Sequence, residues 1–203
     1  MTKTVGTFNF IFIGRSGSGK GTQSELLKKV LETRYGDGSV FYFATGDCFR
    51  NLTTQPALYT GKLVAEKVLK SGNKAPDALT IWCWAKEFVN RVHPEQHMIL
   101  DGTPRTVLEA KAIDELMVFY DREKVFPIWL DVSYEWAYER LIGRGRGDDS
   151  PETIKNRLAY YPKYVELTVK YYQEESSNKL IRINGEQTIE KIHQDIVSAF
   201  GLR

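Results

Sequence analysis

The sequence predicts an α/β fold built on a parallel sheet, and three features carry that prediction. Short apolar runs alternate with helical patterns along the 203 residues. A glycine-rich loop joins the first run to the first helix, and Gly14, Thr45 and Asp101 fall at or just after strand ends. In an open α/β sheet, residues so placed converge on the carboxyl edge, where ligands bind.

The elements follow in order. Phe8 to Ile13 reads as a buried strand ending at Gly14. A helix starts near Lys20, with Leu26, Leu27, Val30 and Leu31 on one face, and Gly36 stops it. Val40 to Ala44 is a second strand, and broken helix follows from Asp47 to Val92, punctuated at Pro56, Ser71-Gly72 and Pro76. Met98 to Asp101 is the third strand. Thr106 to Tyr120 is helical, with Leu108, Ala112, Leu116 and Tyr120 inward. Val125 to Leu130 is the fourth strand, with an irregular start expected at Pro127. Ser133 caps a helix through Ile142, and a loop runs from Gly143 to Asp149. Ser150-Pro151-Glu152 opens a further helix that Pro162 should kink or divide. Leu180 to Ile183 is the last strand, and Thr188 to Phe200 the last helix, closed by Gly201.

The length suits one domain with a full core, and a composition 42% hydrophobic and 27% charged is that of a soluble globular protein. A net charge of +2 makes no case for nucleic acid or a membrane surface. The start, Met1 to Gly6, carries no signal-peptide pattern, and no run reaches the about 18–20 apolar residues of a membrane helix. Cys48 and Cys83 form no CxxC pair and adjoin no histidine set. Neither a disulfide nor a zinc site is therefore expected, and a reducing cytoplasm fits. His93 and His97 are separated by Pro94 and read as surface residues. Tyr160, Tyr161, Tyr164, Tyr171 and Tyr172, with Trp82 and Trp84, read as packing aromatics.

The chemistry concentrates in Gly14-Arg15-Ser16-Gly17-Ser18-Gly19-Lys20-Gly21-Thr22, a G-x-x-x-x-G-K loop with Gly21 inserted before the threonine. Its glycines let several N–H groups converge on one anion, and the helix after it adds a favourable dipole. Lys20 offers a mobile charge to the β- and γ-phosphates, and Thr22 can reach Mg2+ or a phosphate oxygen. The strand before the loop and the helix after it predict a P-loop NTPase-type three-layer fold, with a parallel five-stranded sheet flanked by helices. By itself the loop fits a kinase, a GTPase-like switch or an ATPase.

Further motifs narrow this. Thr45-Gly46-Asp47-Cys48-Phe49-Arg50, Gly72-Asn73-Lys74-Ala75-Pro76-Asp77, Asp101-Gly102-Thr103-Pro104-Arg105-Thr106, Arg140-Leu141-Ile142-Gly143-Arg144, and Arg146-Gly147-Asp148-Asp149 with Arg157 follow the loop in order. Together they resemble the adenylate kinase family of nucleoside monophosphate kinases, in its short-lid form. The resemblance implies one kinase domain over 1–203, with a monophosphate-binding helical insertion at about 45–93 and a very short lid at about 143–150. It implies that Lys20, Arg140 and Arg144 hold the donor ATP with Gly17, Ser18, Gly19, Gly21 and Thr22. Arg50, Arg105, Arg146 and Arg157 would clamp the acceptor phosphate and the transferring group. Thr45, Ala75 and Gly102 would contact the acceptor, and Asp101 would orient Mg2+ through water. Arginine suits these tasks because its charge is permanent and its fork bidentate. The partners implied are small nucleotides, and a monomer is the expected state.

Three departures from the family pattern stand out. Glu109 occupies the position of the Gln that follows the D-G-F-P-R arginine in adenylate-specific members. A carboxylate only accepts, so it leaves an adenine ring nitrogen unpaired at a cost of about 1–3 kcal/mol, and it suits guanine's two donors better. Glu109 could also face solvent. Thr103 replaces an aromatic, which removes packing near the acceptor. Gly145 alone separates Arg144 from Arg146, so the lid has no room for a zinc-bearing insertion. The readings left open are phosphoryl transfer to AMP, the same transfer to GMP, CMP or UMP, and a nucleotide-binding module without turnover.

Overall fold

A computed structural model describes residues 6–147 and 149–202. Most of the N-terminal stretch and Asp148, one acid of the R-x-D-D motif, lie outside them. The five strands are β1 (Asn9–Gly14), β2 (Val40–Ala44), β3 (His97–Asp101), β4 (Val125–Asp131) and β5 (Ile181–Asn184). All neighbouring pairs are parallel, in the order β2-β3-β1-β4-β5. The chain moves outward from β1 first towards β2 and later towards β4 and β5. The carboxyl ends of β1 and β3 thus face the crevice of an open α/β sheet.

Helices cover both faces. They are α1 (Lys20–Tyr35), α2 (Thr45–Thr53), α3 (Tyr59–Val64), α4 (Asp77–Arg91), α5 (Val107–Phe119), α6 (Tyr134–Arg144), α7 (Pro151–Ala159), α8 (Glu166–Glu174) and α9 (Ile189–Ala199). Because side chains alternate across a strand, Phe10 and Phe12 of β1 join Leu27, Leu31, Ile192 and Ile196 on the side of α1 and α9. Ile11 and Ile13 join Phe88, Ile113 and Val169 on the other side. Every residue of β1 is buried, which explains its continuous apolar run.

The local signals hold. Ser133, Ser150 and Thr188 accept hydrogen bonds from the N–H groups of Trp136, Thr153 and Lys191, as N-caps should. Pro162 divides the long helix, with a π-helical turn over Tyr161–Val165 between α7 and α8. Pro127 sits inside a regular β4 instead of disturbing its start. β5 first pairs with β4 at Ile128, so among the described residues one flank of β4 beside Pro127 has no strand neighbour.

Other expectations are corrected by packing. On α5 the fully buried residues are Glu109, Ala110, Ile113 and Met117; Ala112, Leu116 and Tyr120 are partly buried against the same core as expected, and only Leu108, 58% exposed, departs from the expectation. Trp82 is 47% exposed, and Tyr164 also reaches the surface. His97 is buried and accepts the Phe8 N–H at Nδ1, because β3 begins there. Tyr171 and Tyr172 are buried as expected, and both hydroxyls donate to Asp114, which ties α8 to α5. Cys48 and Cys83 are paired as a disulfide, contrary to the expectation that neither would be. They meet because α2 packs beside α4, a closeness that their separation of 35 residues does not reveal.

The helical stretch after β2 is also sewn to α7. The hydroxyl of Thr153 donates to the Lys70 carbonyl at 2.7 Å, and the Asn156 amide donates to the Ser71 carbonyl at 2.8 Å. Gly72 makes this approach possible. Its φ is +72°, and a Cβ there would lie 2.3 Å from the Thr153 carbonyl oxygen. We predict that Gly72→Ala destabilises the protein by about 1–3 kcal/mol, read by chemical denaturation. Gly143→Ala, where a Cβ meets open space, should be neutral or stabilising. Equal stabilities for the two variants would refute this account.

Candidate active site

The glycine loop is placed by contacts that exclude side chains. Gly17 adopts φ +85°, and a Cβ there would stand 2.6 Å from the Ala137 carbonyl oxygen of α6. The loop therefore lies directly against the helix that carries Arg140 and Arg144. Beside it opens a cavity of about 410 Å3. Its walls include Gly17, Gly19, Lys20, Gly21, Thr22, Asp101 and Gly102, together with Arg50, Arg105, Arg140, Arg144, Arg146 and Arg157. Residues from six parts of the sequence thus converge on one cleft; the phosphate loop and Asp101 reach it because they follow strand ends, whereas Arg50, Arg140, Arg144 and Arg157 are carried in by α2, α6 and α7.

Four expected residues stand behind that wall. Ser18 is fully buried under the loop, 3.5 Å from Lys20 Nζ. Thr45 is buried at the start of α2, and its hydroxyl has no hydrogen-bond partner among the described residues. Ala75 is buried. Glu109 is fully buried as well, which overturns the solvent-facing reading. Its Oε2 accepts the Arg105 N–H at 2.9 Å and the Thr103 hydroxyl at 3.1 Å. Thr103 therefore does more than vacate the space of an aromatic. Glu109 Oε1 is buried with no partner among the described residues, and burial pushes this carboxyl above its usual range against the pull of Arg105.

The charges are tightly managed. Lys20 Nζ donates to the carbonyls of Gly14 at 2.9 Å and Arg15 at 2.6 Å. Burial pushes its pKa down to about 8; Asp101 resists this, while Arg105 and Arg144 add to it. Burial raises the Asp101 carboxyl, against Lys20 and Arg105. On the short-lid side, Arg144 grips Asp149 in a bidentate pair at 2.8 and 2.9 Å, and Arg157 reaches the same carboxylate at 2.6 Å. Burial alone would raise the Asp149 pKa, but these guanidinium groups hold it low. Arg50 pairs with Asp47.

Two residues of this arrangement were not among the expected site residues. Asp149 lies in a quoted motif, yet its task as the shared anchor of Arg144 and Arg157 depends on α7 folding back. Tyr160 reads from sequence as packing; it lines the cavity, and its hydroxyl accepts from Arg105 at 2.7 Å. Arg105 is thereby fixed at three points, since its Nε also donates to the Gly102 carbonyl at 2.9 Å and its N–H to Glu109.

A site of this kind suits a hydrated Mg2+ held chiefly through a nucleotide. Asp101 and Thr22 supply hard oxygen donors beside the phosphate loop. No cluster of three or more His, Cys, Asp or Glu side chains among the described residues could cage a metal by itself.

A P-loop followed by a guanidinium-lined cleft defines a phosphotransferase acting on nucleotides. The comparisons narrow the class: the family described as adenylate kinase matches residues 12–177. The chain is 34% identical to an adenylate kinase of Azobacteroides pseudotrichonymphae, over 93% of this chain and 95% of that protein. It is 34% identical to adenylate kinase 1 of a Synechocystis strain, over 90% and 91%, and 33% identical to an adenylate kinase of Flavobacterium psychrophilum, over 91% and 93%. The chain belongs to the adenylate kinase family.

Two predictions follow from the geometry. Tyr160→Phe frees one side of Arg105 and should lower kcat/KM for the monophosphate by about 10-fold or more, the size of one hydrogen bond from a charged group. The KM for ATP and the melting temperature should stay put, and an unchanged kcat/KM would count against the role. For Lys20, phosphate oxygens brought to Nζ by a bound nucleotide would favour its protonated form. ATP binding should weaken as pH climbs through about 8 and should take up protons at about pH 8.5. Calorimetry in buffers of different ionisation enthalpy would detect that uptake, and identical heats would contradict it.

Proposed function

We propose that the chain reversibly transfers the γ-phosphoryl group of Mg·ATP to AMP, giving two ADP. The observation that carries this reading is one cleft holding a glycine loop, Lys20 and guanidinium groups from both the α2 side and the α6–α7 side. The names of the relatives support the choice of adenine nucleotides.

Phosphoryl transfer asks the protein for alignment and positive charge more than for covalent chemistry. Gly17, Ser18, Gly19, Gly21 and Thr22 present the loop that cradles the donor's phosphates, and Lys20, Arg140 and Arg144 neutralise them. Arg50, Arg105, Arg146 and Arg157 hold the acceptor phosphate and spread the charge that develops on the transferring group. Thr45, Ala75 and Gly102 line the acceptor's approach, and the Thr45 hydroxyl, unpaired among the described residues, has a hydrogen bond to offer. Asp101, through water, and Thr22 would hold Mg2+, which would supply charge neutralisation to the donor's phosphates. Within one domain, the helical insertion at about 45–93 and the lid at about 143–150 would close over both nucleotides and exclude water. The protein is taken as a cytoplasmic monomer; among the described residues no helix is long and apolar enough to cross a membrane.

A second reading keeps the chemistry and changes the acceptor base. It is favoured by Glu109, whose Oε1 is buried without a partner among the described residues and would accept one of the two donors of a guanine edge, Oε2 being engaged by Arg105 and Thr103. A binding module without turnover is disfavoured, because every expected clamp arginine lines the cleft.

The test is a coupled assay of diphosphate formation from Mg·ATP with AMP, GMP, CMP, UMP and dTMP in parallel. AMP is expected to be the best acceptor. Glu109→Gln should raise the ratio of AMP to GMP turnover if the carboxylate reads the base. Tight ATP binding with no diphosphate from any acceptor would overturn the proposal.

A further inference from the structure

Cys48 and Cys83 account for all the cysteine in the chain, and the fold brings them together with a Cα–Cα distance of 6.3 Å. That separation lies within the range a disulfide bridges. Their positions differ in mechanical consequence. Cys48 lies on α2, between Thr45 at its start and Arg50 near its end. Cys83 lies on α4, which is anchored in the core: Trp84 and Phe88 beside it are buried, and the Phe88 ring packs against Phe41 of β2. The bridge therefore ties the helix presenting acceptor-side groups to a helix fixed on the sheet.

The pair is also reachable. Both cysteines line a groove of about 520 Å3 that runs past Asn51, Trp82 and Lys86. Cys83 is 1% exposed, whereas Cys48 is only partly buried. An incoming reagent thus meets the Cys48 sulfur first.

We propose that Cys48 and Cys83 form a thiol–disulfide exchange site that takes a low-molecular-weight disulfide as oxidant and a dithiol as reductant, and whose oxidised form restrains α2. The effect on catalysis rests on the reading of α2 as part of the acceptor clamp. In the oxidising direction, the Cys48 thiolate attacks one sulfur of the reagent disulfide and expels the first reagent thiolate. The Cys83 thiol, losing its proton, then attacks the Cys48 sulfur of the mixed disulfide and expels the second. The balance is two protein thiols and one reagent disulfide giving one protein disulfide and two reagent thiols. A dithiol reverses both steps. In a reducing compartment such bonds are transient and regulatory instead of permanent staples. Opening of a substrate clamp commonly limits turnover, so holding α2 to α4 slows product release and retains the acceptor.

The full chain is treated with glutathione disulfide or with dithiothreitol and freed of reagent. Thiols are counted after denaturation, and kcat and KM for AMP are measured. Full exchange gives no free thiol in the first sample and two in the second, matching the two cysteines. The oxidised form should show kcat lower by about threefold or more, with a lower KM for AMP. Cys48→Ser should behave like reduced protein after either treatment. Two thiols persisting after the oxidant, or equal constants for the two wild-type forms, would overturn the proposal. A protein that turns over no monophosphate would instead overturn the functional reading, while the thiol count still decides whether exchange occurs.

Discussion

Crowding of positive charge in one cleft is the constraint around which this structure is arranged. Lys20 and the guanidinium groups of Arg50, Arg105, Arg140, Arg144, Arg146 and Arg157 share the walls of a single cavity. Like charges at such range repel, and burial adds a desolvation cost. The lowered pKa of Lys20 records both effects. Carboxylates offset part of the repulsion at chosen points: Asp149 holds Arg144 and Arg157, Asp47 holds Arg50, and Asp101 faces Lys20. The cleft keeps a surplus of positive charge, which is the electrostatic basis for the proposed binding of a polyphosphate.

The backbone around the cleft is shaped so that these charges stay close. Gly17 lets the phosphate loop touch the carbonyl of Ala137, and that contact sets the distance from the loop to Arg140 and Arg144. Gly72 does the same for the helical stretch after β2, which meets α7 through Thr153 and Asn156. Arg157 on α7 and Arg50 on α2 consequently face one space. Catalysis by alignment depends on such preorganisation, because small displacements of a clamp residue cost rate steeply.

Beside the cleft, Thr103, Arg105, Glu109 and Tyr160 form one hydrogen-bonded unit. Thr103 and Glu109 are bonded to each other, so a hydroxyl donor partly satisfies the buried carboxylate. Burying a carboxylate is unfavourable without such partners, and the Arg105 N–H supplies the second one.

Much of this protein was legible in the sequence alone. The strand–loop–helix around Lys20, the caps at Ser133, Ser150 and Thr188, the break at Pro162 and the order of the arginine motifs all depend on residues within a turn or two of each other, where local geometry decides. The places of Gly14, Thr45 and Asp101 after strand ends also foretold a common edge, since parallel strands carry their ends to one side. What only the tertiary structure decided are meetings across long separations. Tyr160 reaches Arg105 across 55 residues, Asn156 reaches Ser71 across 85, and Cys48 meets Cys83 across 35. The burial of Glu109 and His97 belongs to the same group. Each depends on which helix packs beside which, and that is settled by the fit of whole faces and not by any short stretch of residues.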